Sequence, residues 1–263
     1  MATSEALLID LQDGVLTLSN NDAPINRMSL EYMDELEVAI NDASNDPAVR
    51  AIVITAEGTD NFSVGMDLKQ LRSEAAARGG FEAVLDQRLR VLAAIENMSK
   101  PSIATLFGFC LGGGLELPLA CHFRLAAAED AKIGLPELDL GTVPAWGGTA
   151  RLARCVGRDH ALDMILRAKK ISGPDALARG LVQEVHPLVE LKHVANALAQ
   201  ELAAMPPQAV AGVLSCVVGA GAAPLEDALA VERQAVRDCS GTRDQTEGMM
   251  AFLEKRRPIF TGE

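Results

Sequence analysis

A chain of 263 residues, 49% of them hydrophobic, is long enough to bury one large core. Aromatic residues make up only 3%, so that core has to be built from Leu, Ile, Val and Ala. A net charge of −12 argues against a nucleic-acid-binding surface, which needs clustered Lys and Arg, but leaves room for an anionic small ligand held by a few local cations.

In chain order, residues 6–11 and 15–19 read as two short strands turned by Asp13-Gly14. Ser29 is placed to cap a helix in which Leu30, Met33, Leu36 and Ile40 recur at helical spacing, and Asp46-Pro47 ends it. Residues 51–55 form a continuous apolar, β-branched run, the pattern of a strand covered on both faces. Asp67 fits the N-cap of a helix running through Leu71, with Gln70 completing a capping box. Residues 72–80 are expected to be mobile. Residues 81–98 are amphipathic, with Val84, Leu85, Leu89, Leu92 and Ile95 on one face. Buried strands follow at 103–106 and 123–127.

Two strand–turn–helix units in succession, 51–66 and 103–114, imply parallel strands joined by right-handed crossovers. Past residue 145 the pattern is mainly helical: 148–155, 160–168, 175–179, 188–205, 207–218, 225–240 and 242–256, interrupted by one short strand at 181–186. Residues 219–224 read as a loop within that helical tail.

No stretch reaches the roughly 18 uninterrupted apolar residues of a membrane span, and residues 1–5 have no basic or Arg-rich leader character. The expectation is a soluble cytoplasmic protein without a membrane or nucleic-acid partner. The five cysteines, Cys110, Cys121, Cys155, Cys216 and Cys239, are odd in number and widely spaced. They read as buried reduced thiols, and no metal site is expected.

The run Leu111-Gly112-Gly113-Gly114-Leu115-Glu116 follows a strand and precedes a short apolar helix. A helix starting at the second or third glycine would aim free N–H groups and a positive dipole end at one point, an arrangement suited to a negative oxygen. The same residues also suit a tight turn packing strand on helix, with Glu116 complementing the dipole. Both readings stand on this stretch alone.

Several blocks taken together resemble the crotonase superfamily, specifically enoyl-CoA hydratases. They are Phe62-Ser63-Val64-Gly65-Met66-Asp67-Leu68, the run from Gly108 to Leu117, Ile133-Gly134-Leu135-Pro136-Glu137 with Leu140 to Pro144, Gly147-Gly148-Thr149 with Arg151-Leu152, and the tail from Glu247 to Arg256. The resemblance covers almost the whole chain. It implies an α/β fold, a spiral of ββα repeats over residues 1–196, and a C-terminal helical region at 197–263 that builds a homotrimer or a dimer of trimers.

The resemblance also implies an acyl-coenzyme A thioester substrate and no separate cofactor. The backbone N–H groups of Met66 and Gly113 would surround the thioester oxygen. Glu116 would orient and activate water, and Glu137 would donate a proton to the α-carbon. Val64, Gly65, Asp67, Leu68, Gly112 and Trp146 fall at substrate-binding positions, although Asp67 reads better as a helix cap. Phe252 and Lys255 match tail positions that reach the nucleotide across a subunit boundary. Met66 and Trp146 depart from the small residues usual at their sites. Both glutamates together favour hydration over double-bond isomerisation. A non-enzymatic binding protein of this fold and a Ser/His/Asp hydrolase fit less well, the latter because no Gly-x-Ser-x-Gly elbow occurs.

Overall fold

The alternation in the first twenty residues folds into a hairpin, β1 (Leu7–Gln12) against β2 (Val15–Asn20), antiparallel about Asp13-Gly14. The turn residues have φ of 49° and 81°, the left-handed region that Asp tolerates and Gly prefers. The structure, a computed structural model, describes residues 5–221 and 223–263. Expectations about residues 1–4, including the absence of a leader, and about position 222 of the 219–224 loop lie outside the described residues.

From β2 the sheet continues with β3 (Ala51–Ala56), β4 (Ser102–Leu106), β6 (Phe123–Ala127) and β8 (Glu184–His186), each parallel to its neighbour, in the order β1-β2-β3-β4-β6-β8. Every residue of β3 and β4 is buried, as their unbroken apolar runs require. A second small sheet pairs β5 (Phe109–Leu111) with β7 (Lys132–Gly134) in parallel. Isolated bridges Met28–Met66, Ser63–Cys110 and Ile133–Ile171 extend that layer. Each pass of the chain therefore leaves one strand in the large sheet, one extended segment in the small layer, and then a helix.

Eleven helices complete the described residues: α1 (Leu30–Asn45), α2 (Leu68–Glu74), α3 (Phe81–Glu96), α4 (Gly113–Ala120), α5 (Gly148–Val156), α6 (Arg158–Leu166), α7 (Gly173–Ala178), α8 (Leu188–Ala203), α9 (Pro207–Ala220), α10 (Leu225–Cys239) and α11 (Arg243–Glu254). Ser29 caps α1, its Oγ accepting from the Tyr32 N–H at 3.0 Å. Among the described residues no single helix is long and apolar enough to cross a membrane.

Five details differ from expectation. Gln70 completes no capping box on α2; its Oε1 accepts from the Leu30 N–H at 2.7 Å and its Nε2 donates to Glu31 at 2.6 Å. The free N–H at the start of α1 is the stronger claimant, so Gln70 ties two helices together. The stretch 72–80 is helical, comprising the end of α2 and a tight turn at 75–78 fastened by Arg78 to Asp34 and Glu31. The buried face of α3 is Val84, Arg88, Val91, Leu92 and Ile95, while Leu89 is 41% exposed. Cys155, Cys216 and Cys239 are only partly buried, although all five thiols are free. Finally, the expected division at 196/197 cuts α8, whose Ala195 and Ala199 are both buried against the sheet.

The loop between β2 and α1 is fixed by a buried asparagine. Asn26 has φ 49° and no solvent exposure; its Nδ2 donates to the carbonyls of Glu57 at 2.9 Å and Asn61 at 2.7 Å, and its Oδ1 accepts from the Asp22 N–H at 3.1 Å. The adjacent backbone holds the 62–66 segment, with Val64 N–H on the Ile25 carbonyl and Met28 N–H on the Gly65 carbonyl. Asn26→Ala strands two buried carbonyls and places a Cβ residue without side-chain support at positive φ. A loss of roughly 2–4 kcal/mol is expected, read from the urea unfolding midpoint at unchanged slope.

Candidate active site

Two backbone elements meet at the centre of the small layer. On the 62–66 segment, Met28 bonds Gly65 O and Asp67 N on one side, so the intervening Met66 N–H faces the opposite side. That side is occupied by the start of α4. Gly112, at φ 56°, caps the helix, and Gly113 is its first residue, so the Gly113 N–H has no acceptor within its own helix. The helix begins at the second glycine of the run.

The approach is close. A Cβ on Gly65 would lie 2.8 Å from the Leu111 carbonyl oxygen and 3.7 Å from the Gly113 nitrogen. Met66 and Gly113 both line one cavity of about 190 Å³, which lies at the positive, N-terminal end of α4. Val64, Gly65, Met66, Leu68, Gly112, Gly113, Glu116, Glu137 and Trp146 all line it.

Two carboxyl groups complete the lining. Glu116, in the first turn of α4, is 2% exposed, and its Oε1 accepts from the backbone N–H groups of Trp146 and Gly148, each at 2.8 Å. Burial pushes its pKa from the ordinary 4.5 up to about 7; the two backbone donors pull the other way, Glu137 pushes it further up and Arg151 draws it down. Glu137 opens a tight turn at 137–140 behind Pro136, as the Pro-Glu spacing anticipates. Burial raises its pKa as well, and its Oε2 is buried without a hydrogen-bond partner. The cavity is therefore lined by two acids whose pKa burial raises, at the N-terminal end of α4.

Trp146 forms the floor. The indole is 2% exposed, and a Cβ added to Gly113 would lie 2.3 Å from its Cζ3. Its backbone is fixed separately: Arg151 Nη1 donates to the Trp146 carbonyl at 2.9 Å, while Arg151 Nε and Nη2 grip Glu96 at 3.0 and 2.7 Å. The chain Glu96–Arg151–Trp146–Glu116 thus sets the angle of the buried carboxylate.

Three sequence-predicted positions fall elsewhere. Asp67 caps α2 through the Lys69 and Gln70 N–H groups and lies 3.2 Å from Arg27 Nη1, a fastening role outside the cavity lining. Phe252, 82% exposed, and Lys255, the C-cap residue, belong to α11 and do not border the cavity within the chain. Arg88 and Asn26 carry no signal in the periodicity beyond their polarity, and Arg151 appears only as part of a matching block.

The raised pKa of Glu116 has a thermodynamic consequence. The folded state binds this proton more tightly than the unfolded chain, so the contribution to stability is full below about pH 4.5 and is lost as pH rises through 7. Glu116→Gln removes it. Between pH 5 and pH 8 the parent should lose roughly 2–3 kcal/mol more than the variant, measured by urea unfolding at matched protein concentration.

Comparison with known proteins places the chain in a family. Residues 10–263 match the family model described as enoyl-CoA hydratase/isomerase. A probable enoyl-CoA hydratase of Bacillus subtilis is 39% identical over 98% of each chain. A crotonyl-CoA hydratase of Syntrophomonas wolfei is 34% identical over 97% of this chain and 98% of its own. The crystal structure of an enoyl-CoA hydratase from Bacillus anthracis superposes with a TM-score of 0.92 at 32% identity, covering 98% of this chain and all of that one. With its spiral of ββα units and its helical C-terminal region, the chain belongs to the enoyl-CoA hydratase/isomerase family of the crotonase superfamily.

Proposed function

We propose that the protein hydrates 2-enoyl-CoA thioesters, and the observation carrying this is a buried and a half-buried glutamate lining one cavity together with the backbone of Met66 and Gly113. The thioester oxygen accepts from the N–H groups of Met66 and Gly113. Fixed donors of this kind stabilise the enolate that forms when the β-carbon is attacked, worth roughly 3–4 kcal/mol each by analogy with acyl-transfer sites.

Glu116, its Oε1 held by two N–H groups, keeps its other oxygen for water. As the ionised partner it takes a proton from that water while the oxygen bonds to the β-carbon. Glu137, whose pKa burial raises, delivers a proton to the α-carbon. The double bond is consumed, one water is added, and the proton on Glu116 passes to Glu137, directly or by exchange through solvent, which restores both acids for the next turnover. Because proton transfers alone balance the reaction, no separate cofactor and no metal are required.

The C-terminal helical region favours self-association. Val213, Val217, Leu225, Val236, Met249 and Leu253 are between 61% and 75% exposed, and no residue of α9 or α10 is buried. Apolar surface of that extent is suited to contact with further copies of the chain. In such an assembly Phe252 and Lys255 would serve the nucleotide of a thioester bound next door, consistent with their distance from the cavity lining of their own subunit. The free cysteines fit a reducing cytoplasm.

Mixing with crotonyl-CoA should abolish the conjugated enoyl-thioester absorbance, with 3-hydroxybutyryl-CoA as product. Migration of the double bond instead would identify an isomerase. Glu116→Gln and Glu137→Gln should each lower kcat by about 10²–10⁴-fold with substrate binding retained; parental rates in either variant would remove that residue from the chemistry. Light scattering should give three or six times the 27.8 kDa of one chain, and a monomer at micromolar concentration would refute the assembly.

A further inference from the structure

The rim and floor of the cavity differ in kind. Leu68, Phe81, Leu140 and Val143 at its edge are between 49% and 64% exposed, whereas Trp146 is 2% exposed. An acyl chain entering past the rim and the carboxyl pair ends against the indole. One side of the ring system abuts Gly113, with no room for even a methyl group between them. Over the ring, 5.8 Å from its centroid, lies the guanidinium of Arg88, which has no solvent exposure. Nη1 of Arg88 donates to Gln87 Oε1 at 2.6 Å and to the Val84 carbonyl at 3.3 Å, while Nε and Nη2 are buried without partners.

A cation buried this deeply depends on every favourable contact it has. Swinging the indole aside would take away its π face in a place where water cannot replace it. The ring is thus packed on the Gly113 backbone at its six-membered ring and faced by a buried guanidinium.

We propose that Trp146, clamped between Gly113 and Arg88, is a chain-length gauge that restricts the enzyme to short 2-enoyl-CoA thioesters. The proposal rests on the hydratase function and adds the substrate class to it. A crotonyl group ends before the indole; a decenoyl group has to displace it.

The test measures kcat/KM for crotonyl-CoA and trans-2-decenoyl-CoA with the parent and with Trp146→Ala. The parent should favour crotonyl-CoA by at least about tenfold, the discrimination available to a rigid apolar wall. Trp146→Ala should narrow or invert that ratio, chiefly by raising the decenoyl value. Arg88→Met, which keeps the stem but frees the ring, should move the ratio in the same direction by a smaller factor. Equal efficiency of the parent on both substrates overturns the gauge while leaving hydration intact.

Because Trp146 is the only tryptophan in the chain, its emission gives a second readout independent of turnover and of the variants' folding. Butyryl-CoA should bind the parent at least about tenfold more tightly than decanoyl-CoA in a fluorescence titration. If nothing is hydrated, the hydratase assignment falls and this titration alone decides the gauge. Equal affinities would reject it.

Discussion

The close approach of two backbone segments, 62–66 and the first turn of α4, is the constraint on which the molecule depends. It requires the absence of a Cβ at Gly65, where one would press on the Leu111 carbonyl, and at Gly114, where one would lie 2.6 Å from the Ser63 carbonyl. It also requires that the 62–66 segment be held from behind, which the Met28 bridge and the Asn26 side chain do. Only then do Met66 and Gly113 line the same cavity. The large sheet supplies the rigid floor that keeps this distance constant, since β3 and β4 are buried on both faces.

Charge burial is the second organising theme. Glu116 and Arg88 are buried and Glu137 is half-buried, and each is handled differently. Glu116 is compensated by two N–H donors; Glu137 keeps an oxygen unpaired; Arg88 leans on an aromatic face and one glutamine. Arg88 and Glu137 keep buried polar atoms unpaired, which costs stability, so stability does not explain their presence.

Much of the fold was legible beforehand because its signals are local. The Asp13-Gly14 turn, the Ser29 and Asp67 caps and the unbroken apolar strands each depend on a few neighbouring residues. The lining of the cavity was legible only through several blocks matched at once, since a glycine run and two glutamates separated by 21 positions carry no shared periodicity. What escaped was long-range. Gln70 bonds across to another helix, Arg88 turns the face of α3 by lying inside it, and α8 runs through the expected boundary because its alanines pack on the sheet. Such choices are settled by which partner is nearest in space, and spacing along the chain does not record that.

Trp146 divides its duties between main chain and side chain. Its N–H fixes the Glu116 carboxylate, whereas its indole bounds the cavity. Any residue other than proline can supply the first, so substitutions at this single position can reshape the cavity without releasing the Glu116 carboxyl from its backbone donor. A lineage could in this way explore diets of different carbon length by single steps, each intermediate remaining a working catalyst.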